Sequence, residues 1–144
     1  RQDILERWQA AGGGLPMPLA LQRYVFVTED AAEMRAAARG LLALIRNTRA
    51  LRLETPARDG AHLRPLPFAG EPDEDWLLAH APIGPAAKVA ACLNADIALL
   101  RPSHCSLYMG FTGLPRAATA RAIARFGETV LPGLRQAAAA TQAA

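Results

Sequence analysis

Three histidines, two cysteines and a group of arginines carry most of the reactive side-chain chemistry in this 144-residue chain. An imidazole titrates close to neutral pH, so each histidine is a candidate for proton handling or metal binding. His62, His80 and His104 do not combine with Cys92 and Cys105 at zinc-site spacing, and no Ser, His and Asp order suggests an acyl-transfer triad. Neither a metal nor a covalent nucleophile is expected. Arg52, Arg58 and Arg64 gather around His62. Guanidinium groups hold carboxylates and phosphates through paired hydrogen bonds, and Arg64, beside Pro65, is the most rigidly placed of the three.

Two other features suggest chemistry and are better read as structure. Gly12, Gly13 and Gly14 would cradle a phosphate only between a strand and a helix, whereas Pro16, Pro18 and then a strand-like run follow them. They form a connector that ends a short helix over Ile4 to Ala10. Cys92 and Cys105 lie thirteen positions apart with no CxxC pair, which points to buried reduced thiols and a cytoplasmic protein.

Composition bounds the rest. A 144-residue chain with 51% hydrophobic residues is long enough for one domain that buries roughly 70% of its unfolded surface. The net charge is only +3, and the basic residues run from Arg1 to Arg135 without forming a stripe, so nucleic acid is not an expected partner. His80, Lys88 and Asp96 interrupt the most apolar stretch, so no membrane span is expected. The chain opens at Arg1, inside a helix-like run and without a signal pattern, and the expectation is that an N-terminal part is missing.

The positioning elements follow from periodicity. ALQRYVFV, Ala20 to Val27, is a β-branched and aromatic strand, and Asp30 with Glu33 has capping-box spacing for the helix after it. That helix runs to about Arg46 on the stripe Met34, Ala38, Leu41, Leu42 and Ile45. Periodicity fails over 47–75, where Pro56, Gly60, Pro65, Pro67, Gly70 and Pro72 interrupt any regular element around the acidic cluster Glu71, Asp73, Glu74 and Asp75. Trp76 to Ala81 is predicted as a short buried strand, and a helix starts near Pro85. Cys105 to Met109 is the next strand, followed by the loop GFTGLP and a helix through Phe126 and Val130 to Pro132. Alternating strands and helices call for an α/β fold with parallel strands.

The last sixty residues resemble the luciferase-like flavin monooxygenases, the family of bacterial luciferase, alkanesulfonate monooxygenase and deazaflavin-dependent relatives. Three stretches carry the likeness: APIGPAAKVAACL from Ala81, RPSHCSLYMGFTGLP from Arg101, and ATARAIARFGETVLPGLR from Ala118. Upstream, RYVFVTEDAAEMRAAA from Arg23 is similar to a later barrel strand and the acidic start of its helix. The resemblance implies the C-terminal part of a TIM (β/α)8 barrel, with about three parallel strands, covering helices and a long insertion. Residues 1–144 would form a single partial barrel domain, with 47–75 as the insertion or lid segment and 137–144 as a frayed tail.

The same resemblance implies FMN or a deazaflavin coenzyme, oxygen chemistry at the C-terminal mouth of the strands, and a small-molecule substrate. The family's catalytic and main flavin-binding positions lie in the first five strands, which have no counterpart here. This chain would then supply the lid, the mouth loop and scaffold. His80, at the end of its predicted strand, is the local candidate for proton handling. Arg64 and His62 are candidates on the lid, and Phe111 and Thr112 on the mouth loop. His104, at the entry to the last strand, is expected to hold a turn. Open edges on an incomplete sheet imply self-association or a partner that supplies the missing half. A non-catalytic half barrel that pairs with another chain or with itself is the alternative.

Overall fold

The segment from Ala20 to Val27 is the spine of the molecule. The structure is a computed structural model and describes residues 2–14 and 19–134. Its elements are α1 (Gln2–Ala10), β1 (Ala20–Tyr24), β2 (Phe26–Val27), α2 (Ala31–Ala50), a hairpin of β3 (Arg58–Asp59) and β4 (His62–Leu63), α3 (Glu74–His80), β5 (Ile83–Gly84), α4 (Ala86–Leu100), β6 (His104–Tyr108) and α5 (Arg116–Arg125). A π-helical turn, Phe126–Val130, continues α5. The architecture is mixed α/β, as the alternating pattern demands. The expected frayed tail at 137–144 lies outside the described residues.

β1 pairs in parallel with β6 from Ala20 opposite His104 to Tyr24 opposite Tyr108. The Val25 N–H extends that ladder to the Tyr108 carbonyl at 2.8 Å, whereas the next N–H, of Phe26, reaches the Pro82 carbonyl at 3.0 Å. Successive backbone donors of a strand point to opposite edges, so β6 and β5 flank the segment on opposite sides. The spatial order is therefore β5, β1–β2, β6, with the first strand of the chain central. Strands laid down in chain order would have put Ile83–Gly84 in the middle. Among the described residues the strands do not close into a barrel.

Both faces of the central segment are packed at its C-terminal end. Phe26 and Ile83 meet Ala37, Ala38 and Leu41 of α2, Leu77 of α3, and Ala118 and Ala122 of α5. Val25 and Val27, pointing the other way, meet Val89 and Leu93 of α4 and Phe126 and Val130 of the π turn. Full burial of a side chain such as Phe26 contributes about 1.5–3 kcal/mol.

The helix ends show which signals prevailed. Asp30 caps α2 by accepting from the N–H groups of Ala32 and Glu33 at 2.7 and 3.0 Å. The Glu33 side chain does not complete a capping box, because it turns to Thr28 and Arg121 instead. α2 continues to Ala50, one turn past the expected end at Arg46, since nothing between Asn47 and Ala50 breaks a helix.

The predicted strand over Trp76 to Ala81 is a helix. Asp73 accepts from the Trp76 N–H at 2.7 Å, and Glu74 and Asp75 fill the first turn, where the helix dipole favours carboxylates. The acidic cluster is thus a helix start, and the strand moves on to Ile83–Gly84. The cysteines are free, but Cys105 is exposed and Cys92 half-buried, so the expectation of two buried thiols is corrected. Among the described residues no helix is long and apolar enough to cross a membrane.

Candidate functional site

The second half of α2 and the chain that follows it enclose a cleft with an apolar floor. Its floor is made by Leu41, Leu44 and Ile45 with Tyr24 of β1, and Phe68 closes one wall. The cavity measures about 570 Å³, and Thr48, Arg49, Arg52 and Leu53 stand at its rim. A second cavity of about 310 Å³ shares Arg49, Leu53 and Phe68 with it and is bounded by Arg64 and Leu66. Ligand pockets are commonly of this size, apolar with a few polar anchors.

Two contacts hold the 51–73 segment against α2. The Arg46 guanidinium grips the Glu71 carboxylate through Nε at 2.8 Å and through a second N–H. Arg46 beside it keeps the Glu71 carboxyl below the usual carboxylate range. Arg49 lies 4.4 Å from the centre of the Phe68 ring, a cation–π contact.

The C-terminal edge of the sheet, where barrel chemistry would take place, is internally bonded. The Thr28 hydroxyl donates to Glu33 at 2.7 Å, and Arg121 of α5 donates to the other Glu33 oxygen at 2.5 Å. These two donors hold the Glu33 carboxyl below its ordinary value. Nearby, a third cavity of about 540 Å³ is lined by Phe111, Thr112, Arg116 and Thr119. One arginine and two hydroxyls are enough to touch the margin of a flavin. They do not enclose an isoalloxazine ring or anchor its phosphate from several sides, so the residues present do not form a complete flavin site.

The sequence-derived candidates are dispersed. His80 ends α3 on the surface, stacked on Trp76 at 4.3 Å between ring centroids, with Nδ1 2.8 Å from the Trp76 carbonyl. It therefore closes a helix and does not stand at the C-terminal end of a strand. His62 is exposed in the β3–β4 hairpin, opposite Asp59. Arg64 reaches the second cavity. Phe111 is a core residue, edge-on to Phe26 at 5.8 Å, and the exposed Thr112 follows it. His104 opens β6, exposed, with Nδ1 3.1 Å from the hydroxyl of its neighbour Ser103.

The cleft residues that sequence reasoning missed are Tyr24, Arg49 and Phe68. The signal available for Arg49 was its spacing of three from Arg46 and Arg52, visible only once α2 is extended by a turn. Comparison of the chain with family models, with curated proteins and with solved structures returns no match.

Proposed function

We propose that the chain is the C-terminal part of a luciferase-like flavin-dependent monooxygenase, acting on a small organic substrate with reduced FMN or a deazaflavin and oxygen. The carrying observation is the parallel ladder between β1 and β6. It sets the two family-like stretches, RYVFV and SHCSLYM, side by side as successive barrel strands stand. The short Ile83–Gly84 pairing then belongs to the long connection between them and is not a barrel strand. Gln22 and Tyr24 on one side, and Cys105 and Leu107 on the other, keep backbone groups that no described strand pairs, at the positions where further barrel strands would join. The chain's own contribution is the mouth loop around Phe111 and Thr112 and the helical scaffold; the flavin, when bound, supplies the oxygen chemistry.

The test is expression of the complete open reading frame followed by oxygen-uptake assays with reduced FMN and reduced deazaflavin. Flavin-dependent uptake with a bound cofactor supports the proposal. A full-length product that binds neither flavin overturns it.

One observation favours a second reading, a non-catalytic module that pairs with another chain or with its own copy. Helices cover both faces of Phe26 and Val27, whereas a barrel carries helices on its outside only. A defined oligomer without flavin affinity supports this reading.

A further inference from the structure

We infer that the cleft between α2 and the 51–68 segment binds an organic carboxylate with an apolar body. The proposal does not depend on flavin chemistry. α2 starts at the C-terminal edge of the sheet, and the floor residues begin at Leu41, ten residues along it. The cleft borders the mouth loop: the Tyr24 ring on its floor lies 6.2 Å from the Phe111 ring, and Gly40, beside Leu41, packs against Phe111 and Thr112.

Charge is the first argument. α2 carries four arginines, and three of them face carboxylates: Arg35 meets Asp75 and Glu74, Arg39 meets Glu74, and Arg46 meets Glu71. The fourth, Arg49, has only the Phe68 ring, and among the described residues no carboxylate closes on Arg52 or Arg64 either. Glu54 is near in sequence but lines neither cavity. Arg49 and Arg52 thus stand at the cleft, and Arg49 and Arg64 at the adjoining cavity, with no carboxylate among the described residues paired to any of the three. The C-terminus of α2 favours cations and accounts for Arg49 and Arg52 in part, but Arg64 comes from another segment.

Apolar exposure is the second. Leu53 and Leu66, among the most exposed large hydrophobic side chains, both line these cavities, and Leu44, Ile45 and Tyr24 leave a floor only half covered. An apolar floor under a cationic rim suits a ligand with an apolar body and an anionic head. A carboxylate can take paired N–H donors from a planar guanidinium, and its chain or ring would replace water over Leu44 and Ile45.

The experiment is calorimetric titration of the full chain with decanoate below its micellar range. Decanol, decyltrimethylammonium and acetate serve as controls for tail, charge and head. Saturable binding of decanoate, at least about tenfold tighter than any control, is the expected result. The Arg49→Gln, Arg52→Gln double variant, shown to be folded by circular dichroism, should lose about tenfold in affinity. Leu44→Gln should weaken decanoate while leaving the head-group preference intact. Equal binding of all three decyl compounds would reduce the cleft to a non-specific apolar patch and overturn the proposal. Undiminished binding by the arginine variant, or no binding by the parent chain, would also overturn it.

Discussion

Arg23 of β1 and Asp96 of α4 form a two-pronged ion pair, with Nε 2.7 Å from Oδ2 and the second nitrogen 3.1 Å from Oδ1. Asp96 is almost fully buried, whereas the Arg23 side chain keeps 29% of its surface. The pair pins the N-terminal half of the spine to the helix that covers its lower face.

The asymmetry in burial sets the cost of each deletion. Arg23→Ala takes its guanidinium, though not every partner, from a buried carboxylate and should lower stability. Asp96→Ala leaves an arginine that can still reach water, so it should cost less. Urea denaturation of both variants checks the order; a larger loss for Asp96→Ala would contradict it.

Gly40 shows a second constraint, on the approach of α2 to the β6–α5 loop. A Cβ at Gly40 would lie 2.8 Å from the Phe111 Cβ and 2.9 Å from the Thr112 carbonyl oxygen. Overpacking of this kind costs about 1–3 kcal/mol, against about 1 kcal/mol gained in helix propensity. Gly40→Ala should therefore lower the thermal midpoint. Gly127→Ala, in open space on the π turn, should raise it or leave it unchanged. Equal shifts at both positions would rule out the steric account.

These residues also mark how far the chain can be read without coordinates. The 20–27 strand and the start of α2 were legible because β-branched residues, an N-cap and a long apolar stripe all agree there. Trp76 to Ala81 reads as a strand because the four-residue apolar run that opens it has no period of its own, and only Asp73 as a cap reveals the helix. The cleft was out of reach for a different reason. Tyr24, Leu41 and Phe68 meet across the fold, and no local pattern announces a long-range contact. Arg64 stands out in the sequence beside Pro65, whereas Arg49, which shares the second cavity with it, is placed there only by the extra turn of α2.

The Thr28, Glu33 and Arg121 cluster makes stability depend on pH in a definite direction. Glu33 titrates below its ordinary value in the folded chain because the hydroxyl and the guanidinium bond its carboxylate form. Its contribution is complete above the unfolded carboxylate range and is lost as pH falls through the lowered folded value. Thermal midpoints from pH 7 to pH 3 should fall less steeply for Glu33→Gln than for the parent chain, from a lower starting point at pH 7. Glu71, lowered by Arg46, leaves part of the acid dependence in place. The Glu33→Gln, Glu71→Gln pair should flatten it further, and an unchanged slope would exclude both groups.

The outer edge of β6 is the last test, and it separates fold from assembly. Tyr108 accepts from Val25, so alternation turns the backbone groups of Ser106 and Tyr108 inward and leaves those of Cys105 and Leu107 along the edge that no described strand pairs. The strand HCSLY has no proline, lysine or acidic residue to discourage pairing with another chain. Proline at Cys105 removes an edge donor and no ladder bond, whereas proline at Ser106 removes a donor to β1. If the edge mediates self-association, Cys105→Pro should stay folded and shift to a smaller mass in light scattering, while Ser106→Pro should lose stability. A Cys105→Pro variant that associates as the parent chain does would place the contact elsewhere.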